Sequence, residues 1–177
     1  MENSVKLRNL ADLRNGNKWY FAYGSNMKSS VMANRGIVPL QTKTVVVPTH
    51  CLTFDIFGIP YHEPSFASIA ELAQVDKGQQ FNDSAGPATM IPPVHGVAYL
   101  LSHKDFHSLV ISEGGGVAYD EIEAEAYILG EGRHNTRAFT SQRRGKIVVH
   151  SLTAKYPWRP NGSPSARYMV SSSLCSA

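Results

Sequence analysis

The sequence predicts a single mixed α+β domain on a strongly bent, largely antiparallel sheet, which can also close into a barrel. Three observations point there. About six segments have the composition or alternation of strands. Only two or three short segments read as helices, and they do not separate the strands regularly, so a doubly wound parallel sheet is disfavoured. The chain of 177 residues is 42% hydrophobic and 18% charged, which suits one globular core rather than a disordered chain.

In order along the chain, residues 1–17 are polar, with Leu7, Leu10 and Leu13 at helical spacing, and read as a loosely held arm. Trp19 to Tyr23 is an uncharged run of aromatic and small apolar residues and reads as a buried strand. "NMKSSVMANRG" reads as a short helix, with Gly36 placed to end it. Residues 44–58, "TVVVPTHCLTFDIFG", are rich in β-formers and give one or two strands, and Pro48 suggests an edge or a bulge. "FASIAELAQ" reads as another strand, and residues 76–93 as a loop. "VHGVAYLL" is a strand. "SHKDFHSLVIS" is a helix capped by Ser102, with Asp105 three residues on. "YDEIEAEAYIL" puts Ile122, Ala124, Ala126 and Ile128 on one face and Glu121, Glu123 and Glu125 on the other, a half-buried strand. "KIVVHSL" is a further strand, and residues 171–177 form a polar tail behind a domain at 18–170.

Several function classes fall away at this level. The formal net charge is +3, but the basic residues are scattered. Their densest spot, Arg143 and Arg144 near Arg133 and Arg137, reads as a solvated loop rather than a nucleic-acid stripe. No apolar run approaches the roughly 18 residues of a membrane span. The first residues lack a signal-peptide core, so the expected place is the cytoplasm. The two cysteines make neither a disulfide framework nor a four-ligand zinc site. Cys51 reads as a core residue and Cys175 as an exposed thiol. His103 and His107 share a helix face without a third metal ligand and read as solvent-facing. Neighbouring His50 and Cys51 point to opposite faces of a strand, which disfavours a thiol nucleophile. The row Glu121, Glu123 and Glu125 suits a solvated face or the rim of a homodimer, and Glu121, near the strand start, can also assist in a pocket.

Two segments carry chemistry. In "WYFAYGSNM" a strand runs into Gly24, Ser25 and Asn26 and then a helix. Glycine permits a tight turn and a close approach to backbone. Ser25 or Asn26 can cap the helix, and its first N–H groups face an anion or oxyanion. A plain capped strand–turn–helix connection is the competing reading, and the absence of GxGxxG or GxxxxGK[ST] weighs against nucleotide. In "HSLVISEGGGVAYDE", Glu113 ends a helix before three glycines. A carboxylate there meets the unfavourable end of the helix dipole. Partial burial would raise its pKa toward that of a general acid or base. A solvated glutamate opening a flexible turn is the competing reading.

Taken together, the two segments resemble the gamma-glutamylcyclotransferase family. "YFAYGSNM" is similar to its N-terminal signature. "VHGVAYLLSHKDFHSLVISEGGGVAYDEIEAEAY" is similar to its central block, with an acid–glycine pair, a short gap, then a tyrosine and an alternating strand. "LTFD" and "FASIA" fit its intervening strands, and "SPSARY", ending at Tyr168, resembles its late motif. The resemblance implies a small mixed β-barrel flanked by short helices. It also implies an enzyme that releases 5-oxoproline from gamma-glutamyl amides, small-molecule substrates, without metal or organic cofactor. By this resemblance Glu113 is the acid/base residue. Tyr23, Gly24, Ser25 and Asn26 hold the glutamyl head group, chiefly through backbone N–H, and Tyr20, Tyr119 and Tyr168 line or close the pocket. The wording of the motifs and the long segment at 76–93 are similar to fungal members of secondary metabolism, of the gliotoxin-pathway type, which act on glutathione conjugates. The family usually continues through an apolar helix after the late tyrosine, whereas nine residues follow Tyr168 here, so a shortened end is expected. Two other functions share these residues: a pocket repurposed to isomerise or cyclise a metabolite by glutamate-mediated proton transfer, and a non-catalytic binding protein.

Overall fold

The computed structural model describes residues 15–59, 63–78, 91–130, 143–158 and 161–166. Most of the expected arm, the expected tail with Cys175, and Tyr168 lie outside the described residues. Five strands close into a barrel in the order β1, β5, β2, β6, β7. They are β1 (Lys18–Ala22), β2 (Gln41–Val47), β5 (Val94–Leu101), β6 (Tyr119–Leu129) and β7 (Arg143–Ala154). The strands β3 (His50–Ile59) and β4 (Glu63–Glu71) form a separate antiparallel pair. Barrel neighbours are antiparallel except at the seam, where β1 runs parallel to β7 and Tyr20 faces His150. The expected bent, largely antiparallel sheet is therefore present in its closed form.

Strand periodicity divides the apolar residues between two cores. One face of β1 sends Trp19 and Phe21 to join Val45, Val47, Ala98, Leu100, Ala124, Ala126 and Val149. The other face sends Tyr20 and Ala22 to join Met32, Leu101, Phe106 and Leu109, where helices α1 (Ser29–Asn34) and α3 (His103–Ser112) cover the barrel. A strand buried on both faces reads as an unbroken apolar run, which is why "WYFA" does not alternate. Each large side chain so buried contributes roughly 1.5–3 kcal/mol relative to exposure. By contrast β6 has one wet face. Its glutamates pair along the outside, Glu121 with Lys18 at 3.0 Å and His150 at 2.9 Å, and Glu125 with Lys146. That solvated reading of the acidic row holds.

Two local expectations need correction. "FASIAELAQ" is not strand throughout, because β4 ends at Glu71 and α2 (Leu72–Gly78) begins. The Leu72 N–H bonds the Thr49 carbonyl at 3.0 Å, which closes the β3–β4 ladder, and Leu, Ala and Gln then favour helix. Pro48 marks neither an edge strand nor a bulge. It sits in the turn between β2 and β3, and the ladder irregularity comes later, between Thr53 and Ile56. Cys51 is buried, as expected. Among the described residues no helix is long and apolar enough to cross a membrane.

Candidate active site

Two helices end in the same way, and their ends meet. Helix α1 stops at Arg35. Gly36 follows at φ 71°, its N–H bonds the Ala33 carbonyl at 2.9 Å, and the Ile37 N–H bonds the Met32 carbonyl at 3.0 Å. Helix α3 stops at Glu113. Gly114 follows at φ 75°, its N–H bonds the Ile111 carbonyl at 3.0 Å, and the Gly115 N–H bonds the Val110 carbonyl at 2.9 Å. Both are Schellman endings, in which a left-handed glycine lets two outer N–H groups satisfy the last free carbonyls. A Cβ on Gly115 would meet the Val110 side chain and come within 2.8 Å of its carbonyl, so the chain turns tightly beneath Glu113. The other end of α3 is fixed as expected: the Asp105 N–H donates to Ser102 Oγ at 3.1 Å, and Ser102 Oγ donates to Asp105 Oδ2 at 2.9 Å.

Arg35 and Glu113, the two residues at these helix ends, form an ion pair between Nη2 and Oε1. Their side chains are 30% and 22% exposed, so the pair sits at the edge of the protein interior. Arg35 Nη1 also donates to Ser112 Oγ at 2.5 Å. Sequence reasoning identified the unfavourable dipole at Glu113 but missed the guanidinium that offsets it. A basic residue just before the glycine that ends a helix is a recognisable C-terminal signal, and "NRG" carries it.

Tyr20 is the hub of the remaining residues. Its hydroxyl accepts a hydrogen bond from Asn26 Nδ2 at 3.2 Å, and both side chains are buried. Burial pushes the phenol well above its ordinary value. The Asn26 bond opposes this, the Glu113 charge adds to it, and Arg35 and Tyr119 act more weakly in opposite senses. The phenol therefore stays neutral at working pH and keeps a proton to donate. Asn26 Oδ1 is buried with no partner among the described residues. Whichever way the amide is turned, one polar end meets Tyr20 and the other is left over.

Gly24, Ser25 and Asn26 do not cap a helix with their side chains, contrary to expectation. Ser25–Met27 is a 3-10 turn entered from Gly24, and neither it nor α1 has a side-chain cap. Asn26 is drawn inward to Tyr20 instead. The turn is anchored by the Met27 N–H on the Gly24 carbonyl at 3.0 Å and by the Tyr99 hydroxyl on the Met27 carbonyl at 2.8 Å. Gly24 adopts φ −125°, so left-handed backbone is not what places a glycine there. Tyr23 lies in the barrel core, where its hydroxyl donates to the Leu152 carbonyl at 2.8 Å. Its side chain is therefore structural. The Tyr119 hydroxyl donates to the Ala67 carbonyl at 3.1 Å. Glu121 is held by Lys18 and His150. An open groove of about 390 Å³ beside His50, Glu71, Glu123 and Glu125 includes none of the expected site residues.

Solved structures share this architecture. The chain superposes on a gamma-glutamyl cyclotransferase with a TM-score of 0.59 at 17% identity, over 90% of this chain and 78% of that one. It superposes on a glutathione-specific yeast gamma-glutamyl cyclotransferase with a TM-score of 0.62 at 13% identity, over 90% and 86%. These likenesses establish the fold. No protein-family model matches the chain. Among curated relatives, gamma-glutamyl cyclotransferase verK of Clonostachys rogersoniana is 50% identical over 153 residues, 86% of this chain and 81% of that one. Gamma-glutamyl cyclotransferase gliK of Aspergillus fumigatus is 54% identical over 155 residues, 87% of this chain and 54% of that one. Gamma-glutamyl cyclotransferase aclK of Aspergillus oryzae is 35% identical over 171 residues, 96% and 59%. The chain belongs to the gamma-glutamyl cyclotransferase family, and it spans about half the length of the gliK relative.

Proposed function

We propose that this protein is a gamma-glutamyl cyclotransferase that releases 5-oxoproline from gamma-glutamyl amides, with Glu113 as acid and base. One observation supports it above the others: Tyr20 bonds Asn26 and the charges of Glu113 and Arg35 reach its phenol, which favours a common pocket for the expected acid and the expected loop. The reaction is internal to the substrate. Its α-amine attacks its own γ-carbonyl, a new C–N bond closes a five-membered ring, and the γ-amide C–N bond breaks. Glu113 takes the proton that the amine sheds and returns it to the leaving nitrogen. The N–H groups of Ser25 and Asn26 lead the 3-10 turn without partners inside it and are suited to the γ-carbonyl oxygen as negative charge develops there. The leftover end of Asn26 and the Tyr20 proton complete the set of polar groups for the glutamyl head. Tyr168 is assigned to the pocket on the resemblance of its motif alone.

The resemblance of its motifs to fungal members of secondary metabolism favours a glutathione conjugate of a secondary metabolite as the substrate, and the names of its fungal relatives support gamma-glutamyl cyclotransfer. The test is incubation with glutathione, S-aryl and S-alkyl glutathione conjugates and gamma-glutamyl amino acids, with 5-oxoproline measured by mass spectrometry. Glu113→Gln keeps the shape and removes the proton carrier. It is expected to lower turnover about 10²- to 10⁴-fold while binding persists. Wild-type turnover in Glu113→Gln would overturn the assignment. A folded protein that yields no 5-oxoproline from any of these substrates would point to other proton-transfer chemistry in the same pocket.

A further inference from the structure

We propose that Arg35 is a positioning residue for Glu113: it holds carboxylate oxygen Oε1 so that Oε2 carries the proton. The inference rests on the assignment of Glu113 as acid and base. Glu113 Oε1 is buried and has no hydrogen-bond partner among the described residues, so the ion pair with the Arg35 guanidinium is what holds it there. The guanidinium grips two consecutive residues of the last turn of α3, Ser112 through Nη1 and Glu113 through Nη2. The Ser112 hydroxyl is itself fixed, because it donates to the Leu109 carbonyl at 2.8 Å. Both backbones are locked by their Schellman endings. The fork geometry of arginine suits this two-point grip, and a lysine ammonium cannot reproduce it. Among the described residues, the charged or titratable groups tied to Glu113 by contact or by charge are Arg35 from α1 and Tyr20 from β1, and Arg35 is the cation of the two.

The experiment compares Arg35→Met, Arg35→Lys, Ser112→Ala and Glu113→Gln with wild type, measuring kcat and KM for 5-oxoproline release. Thermal unfolding of each variant is recorded. Arg35→Met is expected to lower kcat about 10²-fold, as a misplaced catalytic group does, with little change in KM. Arg35→Lys keeps the charge and restores part of kcat, but not all of it, because the two-point grip is lost. Ser112→Ala lowers kcat slightly with KM unmoved. If Arg35→Met fails to fold, the Arg35→Lys and Ser112→Ala results decide. Wild-type kcat in Arg35→Met, or in both Arg35→Lys and Ser112→Ala, would overturn the inference, as would a change confined to KM. Loss of activity in Glu113→Gln beside wild-type behaviour in the arginine variants sinks this inference alone. Full activity in Glu113→Gln sinks the assignment beneath it.

Discussion

Arg35 and Glu113 occupy equivalent positions in two different helices: each is the last residue before a left-handed glycine, and the pair joins α1 to α3. The direction in which each side chain leaves its helix is therefore set by backbone geometry as much as by packing.

Gly114 tests that dependence. Its φ is 75°, and nothing lies within 4 Å of where a Cβ would stand, so the penalty for a side chain there is purely conformational. Gly114→Ala is expected to destabilise the fold by about 1–2 kcal/mol and to lower kcat by tilting Glu113. Gly116→Ala, at φ 83° and also in open space, carries the same strain two residues further from the carboxylate. It should lose similar stability with a smaller loss of rate. Urea titration beside the 5-oxoproline assay separates the two effects, and equal rate losses in both variants would show that the Gly114 backbone does not aim the acid.

Tyr20→Phe removes the acceptor for Asn26 Nδ2 and leaves both ends of a buried amide unpaired. The expected loss is about 1–3 kcal/mol of stability, together with reduced turnover. Adding Asn26→Leu should recover part of the stability but none of the rate, because the stranded amide is gone while the substrate group is not restored. A double-mutant cycle on unfolding free energies reads the coupling, and simple additivity would show that the buried bond contributes little.

Two histidines give stability a pH dependence with a definite sign. Burial lowers the pKa of His50, opposed weakly by Glu71, and lowers that of His95, opposed by its bond to the Pro93 carbonyl. The unfolded chain protonates near the ordinary histidine value of 6.5, so below it the unfolded state binds more protons than the native one. Stability is therefore full above that value and falls as pH drops toward the folded pKa values. Urea unfolding from pH about 7.5 down to about 5 should show the decline, and His50→Asn combined with His95→Asn should flatten it. An unchanged slope in the double variant would place the effect on other groups.

How far the sequence could be read depended on the range of the interactions involved. The alternation in β6 and the Ser102–Asp105 cap are local, and both stand as expected. The boundary at Leu72 was not legible, because a strand-like run continues into helix and the switch depends on a bond to Thr49 in another element. The barrel seam between β1 and β7 left no mark in either strand. Glu113 could be found by its position before glycines. Arg35 could be marked as a basic residue ending its helix, but not as the partner of Glu113, since only the fold brings the two together. Asn26 looked like a helix cap because its residue type usually is one, and a buried tyrosine claimed it instead.

The seam also sets when a functional site can exist. Tyr20 is both the hub of the candidate site and the residue paired across the parallel seam with His150. A nascent chain leaving the ribosome presents β1 early, with no partner for its outer edge until β7 has been made. Such long-range closure is slow, and a strand apolar on both faces is prone to aggregate while it waits. Activity would then appear only after the last barrel strand docks, which makes turnover itself a reporter of completed folding.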